Sequence, residues 1–180
     1  MDAPHAASVP DVMKARPDQM LLSLYMLWFQ IPYLPEYKAS QYVFPRISPS
    51  LTKNDRDNWM EGINGVIATG KPGKAFHKDD VTRMLQAWNE PNAMTGMMNY
   101  YRAMFLKSNV GDSLLAKPNI TVPTLILWGE KDIFGVNEMA EFSYRYCPKG
   151  SKLVFVPEAT HWITTEEAEF VNNEILKFVK

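Results

Sequence analysis

Residues 121–132 read TVPTLILWGEKD and residues 151–162 read SKLVFVPEATHW. Each is a short, continuous apolar run that ends in small, polar and charged residues. A strand covered on both faces reads this way, because every side chain along it meets an apolar layer. Between the two runs, NEMAEFSYRYC (137–147) has helical spacing. After them, TTEEAEFVNNEILKFVK (164–180) closes the chain as an amphipathic helix, with Thr164 or Thr165 placed to cap it and Glu166 and Glu167 in its first turn. Strand, helix, strand, helix is the unit of a parallel α/β sheet. A parallel sheet needs more strands than two, even with MDAPH (1–5) as the end of a third, so this region is expected to be the C-terminal part of a larger core.

Upstream of about residue 112 the periodicity is helical instead. ARPDQMLLSLYMLWFQIP (15–32) has Pro17 and Asp18 at a start, apolar residues nearly all round, and Pro32 as a stop, which predicts one buried helix. PSLTKNDRDNWMEGINGVIAT (49–69) is a second candidate. HKDDVTRMLQAWNEP (77–91) sets Val81, Met84, Leu85 and Trp88 at i, i+3, i+4 and i+7. NAMTGMMNYYRAMF (92–105) repeats that spacing with Met94, Met97, Met98, Tyr101 and Phe105. The expected organisation is a short core segment over 1–12 leading into a helical region over 13–112, followed by α/β core over 113–180.

Composition excludes several classes. The chain has 180 residues, 46% hydrophobic and 22% charged, as a core-forming globular chain should. Its net charge is −1 with Lys and Arg scattered singly, so no basic face is offered to nucleic acid. Cys147 alone allows no internal disulfide, and His5, His77 and His161 lack the spacing of a zinc site. No metal or cofactor is expected. The longest apolar stretch, MLLSLYMLWFQIPYL (20–34), is broken by Ser23, Gln30 and Pro32 and is too short to span a bilayer, which takes about 20 apolar residues.

Open parallel sheets carry their chemistry beyond the carboxyl ends of their strands. Asp132 follows the first strand and His161 the second, 29 residues on, which is room for one crossover helix and a strand. Neighbouring parallel strands present two such side chains side by side. A carboxylate facing an imidazole fixes its tautomer and stabilises the imidazolium formed during base catalysis. Taken singly, Asp132 also suits a turn or helix cap, and His161 also suits a structural strand end. Together, acid before base in chain order, they match α/β hydrolases.

The segments PTLILWGEKD (123–132), EATHW (158–162), NYYRAMF (99–105), YMLWFQIP (25–32) and DAPH (2–5) together resemble the epoxide hydrolases of the α/β-hydrolase superfamily, nearest the branch of epoxide hydrolase 4. The likeness runs across nearly the whole chain. It implies the C-terminal part of an α/β-hydrolase fold, with parallel strands and flanking helices, carrying a helical cap (lid) domain. The resemblance also implies roles: His161 as the base that activates water, Asp132 as its partner, and Tyr25 and Tyr101 as the pair that binds and protonates the epoxide oxygen. Trp162, Trp128 and Phe29 would wall the substrate site. Tyr101 lies on the apolar stripe of its helix, whereas Tyr100 is turned about 100° away. A small apolar epoxide and water are then the partners, with no nucleic acid and no membrane segment within these residues.

This sequence departs from the family in lacking both its oxyanion-hole loop and its nucleophile elbow. The nucleophile elbow, G-x-D-x-G or a close variant, is absent, because none of the nine glycines has another four positions on. The chain is therefore expected either to be part of a full epoxide hydrolase or to be a remnant without catalysis that binds apolar ligands or partners. An esterase or haloalkane dehalogenase would share WGEKD and HW. The sequence does not give the compartment; the resemblance allows a cytoplasmic setting, or the endoplasmic-reticulum membrane if an upstream anchor exists.

Overall fold

A computed structural model describes residues 4–38, 83–84, 86–88, 90–104 and 119–180. Its elements run as follows: a 3-10 turn Ala6–Ser8, helices α1 (Val9–Ala15), α2 (Asp18–Leu22), α3 (Leu24–Trp28), α4 (Leu34–Lys38) and α5 (Ala93–Met104), strand β1 (Leu125–Gly129), helix α6 (Glu138–Tyr144), strand β2 (Lys152–Val156), and helices α7 (Ile163–Glu166) and α8 (Ala168–Phe178). The candidate helix over 49–69 and His77 lie outside the described residues. The chain divides into two compact units, Met1–Ser23 with Lys107–Lys180, and Leu24–Leu106.

In the first unit β1 and β2 pair in parallel, from Leu125 opposite Lys152 to Gly129 opposite Val156. The alternation of side chains along each strand separates two apolar layers. Ile126, Trp128, Leu153 and Phe155 face one way, into a cluster with Val12 of α1, Val136, and Met139 and Ala140 of α6. Leu125, Leu127, Val154 and Val156 face the other, against Ala159, Ile163 of α7 and Val171 of α8. Apart from Lys152 at the start of β2 and Gly129 at the end of β1, both strands are apolar, and both of their faces are covered. Trp128 is the anchor of the first layer at 4% exposure, its indole N–H donating to Asn137 Oδ1 at 3.1 Å. Cutting such a side chain to Ala costs about 3–5 kcal/mol. Glu174 of α8 is buried between Lys152 and Lys177, which donate to it at 2.6 and 2.8 Å and hold its carboxyl below the usual range.

Three expectations fail here. The segment 15–32 is not one buried helix: it breaks at Ser23, which closes α2, and most of its apolar side chains stay open, Leu21 at 69%. The fully buried residue of α2 is polar, Gln19 at 0% exposure. A mostly apolar segment has no polar face to show to water, and that pattern alone does not say which side the fold will cover. Residues 13–23 accordingly group with the sheet rather than with the helical region, because α1 and α2 pack beside α6 and the loop after β1. Of the supposed third-strand end, residues 1–3 lie outside the described residues, while Pro4 and His5 lead into a 3-10 turn, where the His5 backbone N–H donates to Ser143 Oγ and its ring stacks on Tyr146. The closing helix is broken too. Glu167 separates α7 from α8, and neither Thr164 nor Thr165 caps it.

The second unit holds α3, α4 and α5. Met98 is the buried residue of α5, with Met94, Met97 and Tyr101 half-buried beside it, as the spacing read from the sequence expects; Phe105 of that stripe lies outside the described residues. Arg102 ties the unit together: its guanidinium donates to both carboxylate oxygens of Glu36 at 2.6 and 3.0 Å, to Phe29 O at 2.9 Å and to Ile31 O at 3.0 Å. No helix among the described residues is long and apolar enough to cross a membrane.

Candidate active site

The register of the sheet brings the two loops beyond β1 and β2 level with each other. After β1, Asp132 N–H donates to Gly129 O at 3.2 Å in a tight turn, and after β2, Ala159 N–H donates to Val156 O at 3.2 Å. The loops are bonded directly, Glu130 N–H to Val156 O at 3.1 Å and Lys131 N–H to Ala159 O at 3.0 Å. Gly129 makes this approach possible, since a β-carbon there would overlap the backbone oxygens of Thr160 and Ala159.

At this junction His161 Nδ1 lies 2.8 Å from Asp132 Oδ2. Asp132 is 5% exposed at the side chain and His161 20%. The other carboxylate oxygen, Oδ1, accepts the backbone N–H of Phe134 at 2.7 Å and that of Gly135 at 3.1 Å. Asp132 is thus both the turn cap and the histidine's hydrogen-bond partner. Since a carboxylate accepts, Nδ1 carries the proton of that bond, and Nε2 is the lone-pair nitrogen of the neutral ring. Phe134 and Trp162 meet the imidazole edge to face, with ring centroids 5.0 and 5.3 Å away. Trp128 has another place. It is packed in the layer between sheet and helices, so the wall it was expected to form is a core contact instead.

Two residues that sequence reasoning missed hold the loops. Glu166 accepts the N–H and the hydroxyl of buried Thr160, both at 2.7 Å, and so pins the residue before His161. Gln19 bonds the loop of Asp132 at Phe134 O and Val136 N, each at 2.9 Å. The only sequence signal for Glu166 was its place five residues after His161. For Gln19 it was a lone amide in an apolar run.

Tyr25, Phe29 and Tyr101 form an aromatic cluster within the helical unit, with mutual centroid distances of 5.5, 5.7 and 4.9 Å. Tyr101 is half-buried, while Tyr100 is 72% exposed. Burial pushes the Tyr101 phenol above its usual pKa; a hydrogen bond with Tyr25 pulls it down and the charge of Tyr100 adds to the rise. Tyr101 therefore stays a proton donor to a more alkaline pH than a free phenol. Among the described residues no three His, Cys, Asp or Glu are grouped to hold a metal ion.

No family model matches the chain. The AB hydrolase superfamily protein YfhM of Bacillus subtilis (strain 168) is 35% identical over 181 residues, covering 100% of this chain and 56% of its own length. Human epoxide hydrolase 4 is 30% identical over 181 residues, covering 98% of this chain and 44% of its own. Among solved structures, a mutant epoxide hydrolase from Bacillus megaterium complexed with its diol product superposes with a TM-score of 0.67 at 22% identity, over 98% of this chain and 57% of that one. An epoxide hydrolase from hot-environment metagenomes superposes at 0.61 and 21% identity. The chain spans about half the length of the curated relatives it matches. In sequence the chain is similar to the C-terminal part of α/β-hydrolase superfamily proteins, epoxide hydrolases among them, and its fold is that of the corresponding part of the solved epoxide hydrolases.

Proposed function

We propose that this chain supplies the water-activating pair and the oxirane-binding tyrosines of an epoxide hydrolase. Its substrate is a small apolar epoxide and its product the vicinal diol. An aspartate carboxylate, which is not found on an elbow within these 180 residues, attacks one epoxide carbon. A carbon–oxygen ester bond forms as a ring carbon–oxygen bond breaks. Tyr25 and Tyr101 donate hydrogen bonds to the ring oxygen, and one of them protonates the leaving alkoxide. His161 Nε2 then takes a proton from water, whose oxygen adds to the ester carbonyl; Asp132 holds the ring and stabilises the imidazolium. Collapse of the adduct frees the diol, restores the carboxylate and returns the protons.

What supports the proposal above all is the contact of His161 Nδ1 with Asp132 Oδ2 at 2.8 Å, with Oδ1 already saturated by two backbone amides. A histidine used only as a strand-end filler has no need of so buried and well-held a partner. The relatives named above support the substrate class.

The test joins this chain to the N-terminal part of an epoxide hydrolase that carries a G-x-D-x-G elbow. A single turnover of styrene oxide in ¹⁸O-water is then followed by mass spectrometry. Label in the elbow aspartate, with unlabelled oxygen in the first diol formed, is the expected result. Label in that first diol instead would mean direct attack by water and would overturn the ester route.

A further inference from the structure

We infer that Gln19 is a positioning residue for the Asp132–His161 pair, an inference that rests on reading the pair as the water-activating one. Gln19 lies on α2, more than a hundred positions before the loop it serves, and is wholly buried. Burying an amide costs free energy unless its hydrogen bonds are made. Here they are: Nε2 donates to Phe134 O at 2.9 Å and Ser23 Oγ at 3.0 Å, and Oε1 accepts Val136 N–H at 2.9 Å. An N–H on one side and a carbonyl on the other leave one orientation of the amide that satisfies both.

The consequence passes through a single peptide plane. Phe134 C=O and Gly135 N–H belong to one planar, trans peptide group, so they point in opposite directions. Gln19 pulls the carbonyl to its own side. The N–H is thereby aimed at Asp132 Oδ1, 3.1 Å away. With Oδ1 fixed by that amide and by Phe134 N–H, the carboxylate is turned so that Oδ2 meets His161 Nδ1. Gln19 touches neither Asp132 nor His161 in this chain of bonds; it sets the plane that sets the carboxylate. The same loop carries Phe134, whose ring abuts the imidazole.

Solution NMR of the 180-residue chain tests this with Gln19→Met, which is similar in length and cannot hydrogen-bond the loop. With the fold checked by circular dichroism, Gly135 amide exchange should rise at least about tenfold, since a buried partner is lost. The low-field Nδ1 proton signal of His161 should move upfield or vanish. A merely structural glutamine would lower stability without moving that signal. A folded Gln19→Met chain with both readouts unchanged would overturn the inference. Should that variant not fold, Gln19→Glu keeps the length and the acceptor for Val136 and loses the amide donor, and it carries the same two readouts. In the unsubstituted chain the Gln19 side-chain NH₂ must itself exchange slowly; fast exchange overturns the inference whatever the variants do. None of these measurements uses turnover, so a failure to hydrolyse epoxides counts against the proposed function and not against this role.

Discussion

The α-carbon of Gly129 stands so close to the carbonyl oxygen of Thr160 that no side chain fits between them. Backbone meets backbone at this point, and neither partner can rotate away as a long side chain could. Gly129→Ala is expected to destabilise the first unit by about 2 kcal/mol or more, in the range of overpacked cores. Urea unfolding would measure it. A smaller change would mean that the loop of His161 yields easily, contrary to its anchoring by Glu166 at both Thr160 groups.

Base and ester formation can be separated. The 180-residue chain alone should give no diol, because a base and proton donors without a nucleophile form no ester. In the joined protein, His161→Gln should leave alkylation intact and block hydrolysis, so that intact mass spectrometry finds one substrate mass added per protein. Diol formed by the 180-residue chain alone, and abolished by His161→Ala, would sink this account.

The two adjacent tyrosines offer an internal control. In the joined protein Tyr101→Phe should slow epoxide opening by on the order of a hundredfold, the lower range for loss of a general acid. Tyr100→Phe, at a position 72% exposed, should leave the rate within about twofold. The pH dependence has a definite sign. Burial raises the Tyr101 pKa, so the acid form persists above the ordinary phenol value of 10.0, and the alkaline fall in rate should come only beyond it. Stopped-flow alkylation rates across that range decide the point.

Arg102 should matter to the helical unit out of proportion to one ion pair. Arg102→Met keeps the aliphatic stem but releases Glu36 and the carbonyls of Phe29 and Ile31, and should lower the stability of the unit, read as an earlier urea midpoint. The guanidinium holds the Glu36 carboxyl below its usual 4.5. That stabilisation is present above the unfolded value and is lost as pH falls below it. The protection of amides over residues 29–36, each rate taken relative to that of a free amide at the same pH, should therefore fall on acidification below that value in the parent chain, and be already low in the variant at neutral pH.

Much of the α/β part was legible because continuous apolar runs have few alternatives. β1 and β2 had to be covered on both faces, and a parallel pair joined by α6 had to bring Asp132 and His161 to one end. The spacing of α5 likewise separated Tyr101 from Tyr100. What stayed illegible has physical causes. Residues 15–32 are apolar on nearly every side, so periodicity could not locate the break at Ser23 or the burial of Gln19. Trp128 and Trp162 look alike in sequence, and it is the place of Trp128 within β1, covered on both faces, that sends the first into the interior. Glu166 and Glu167 read as first-turn acids of one helix, whereas Glu166 turns back to Thr160 and Glu167 marks the break between α7 and α8.

The two backbone amides on Asp132 Oδ1 have one more consequence. They make the loop sensitive to the chemistry of residue 132 and not only to its size. An asparagine there would be turned by the same amides, its carbonyl oxygen taking their two donors and its NH₂ group facing the imidazole. Nδ1 would then have to accept, the ring proton would move to Nε2, and the nitrogen proposed above to take a proton from water would instead present one. An isosteric exchange of a single atom would thus reverse the polarity of the histidine while leaving every neighbouring bond in place.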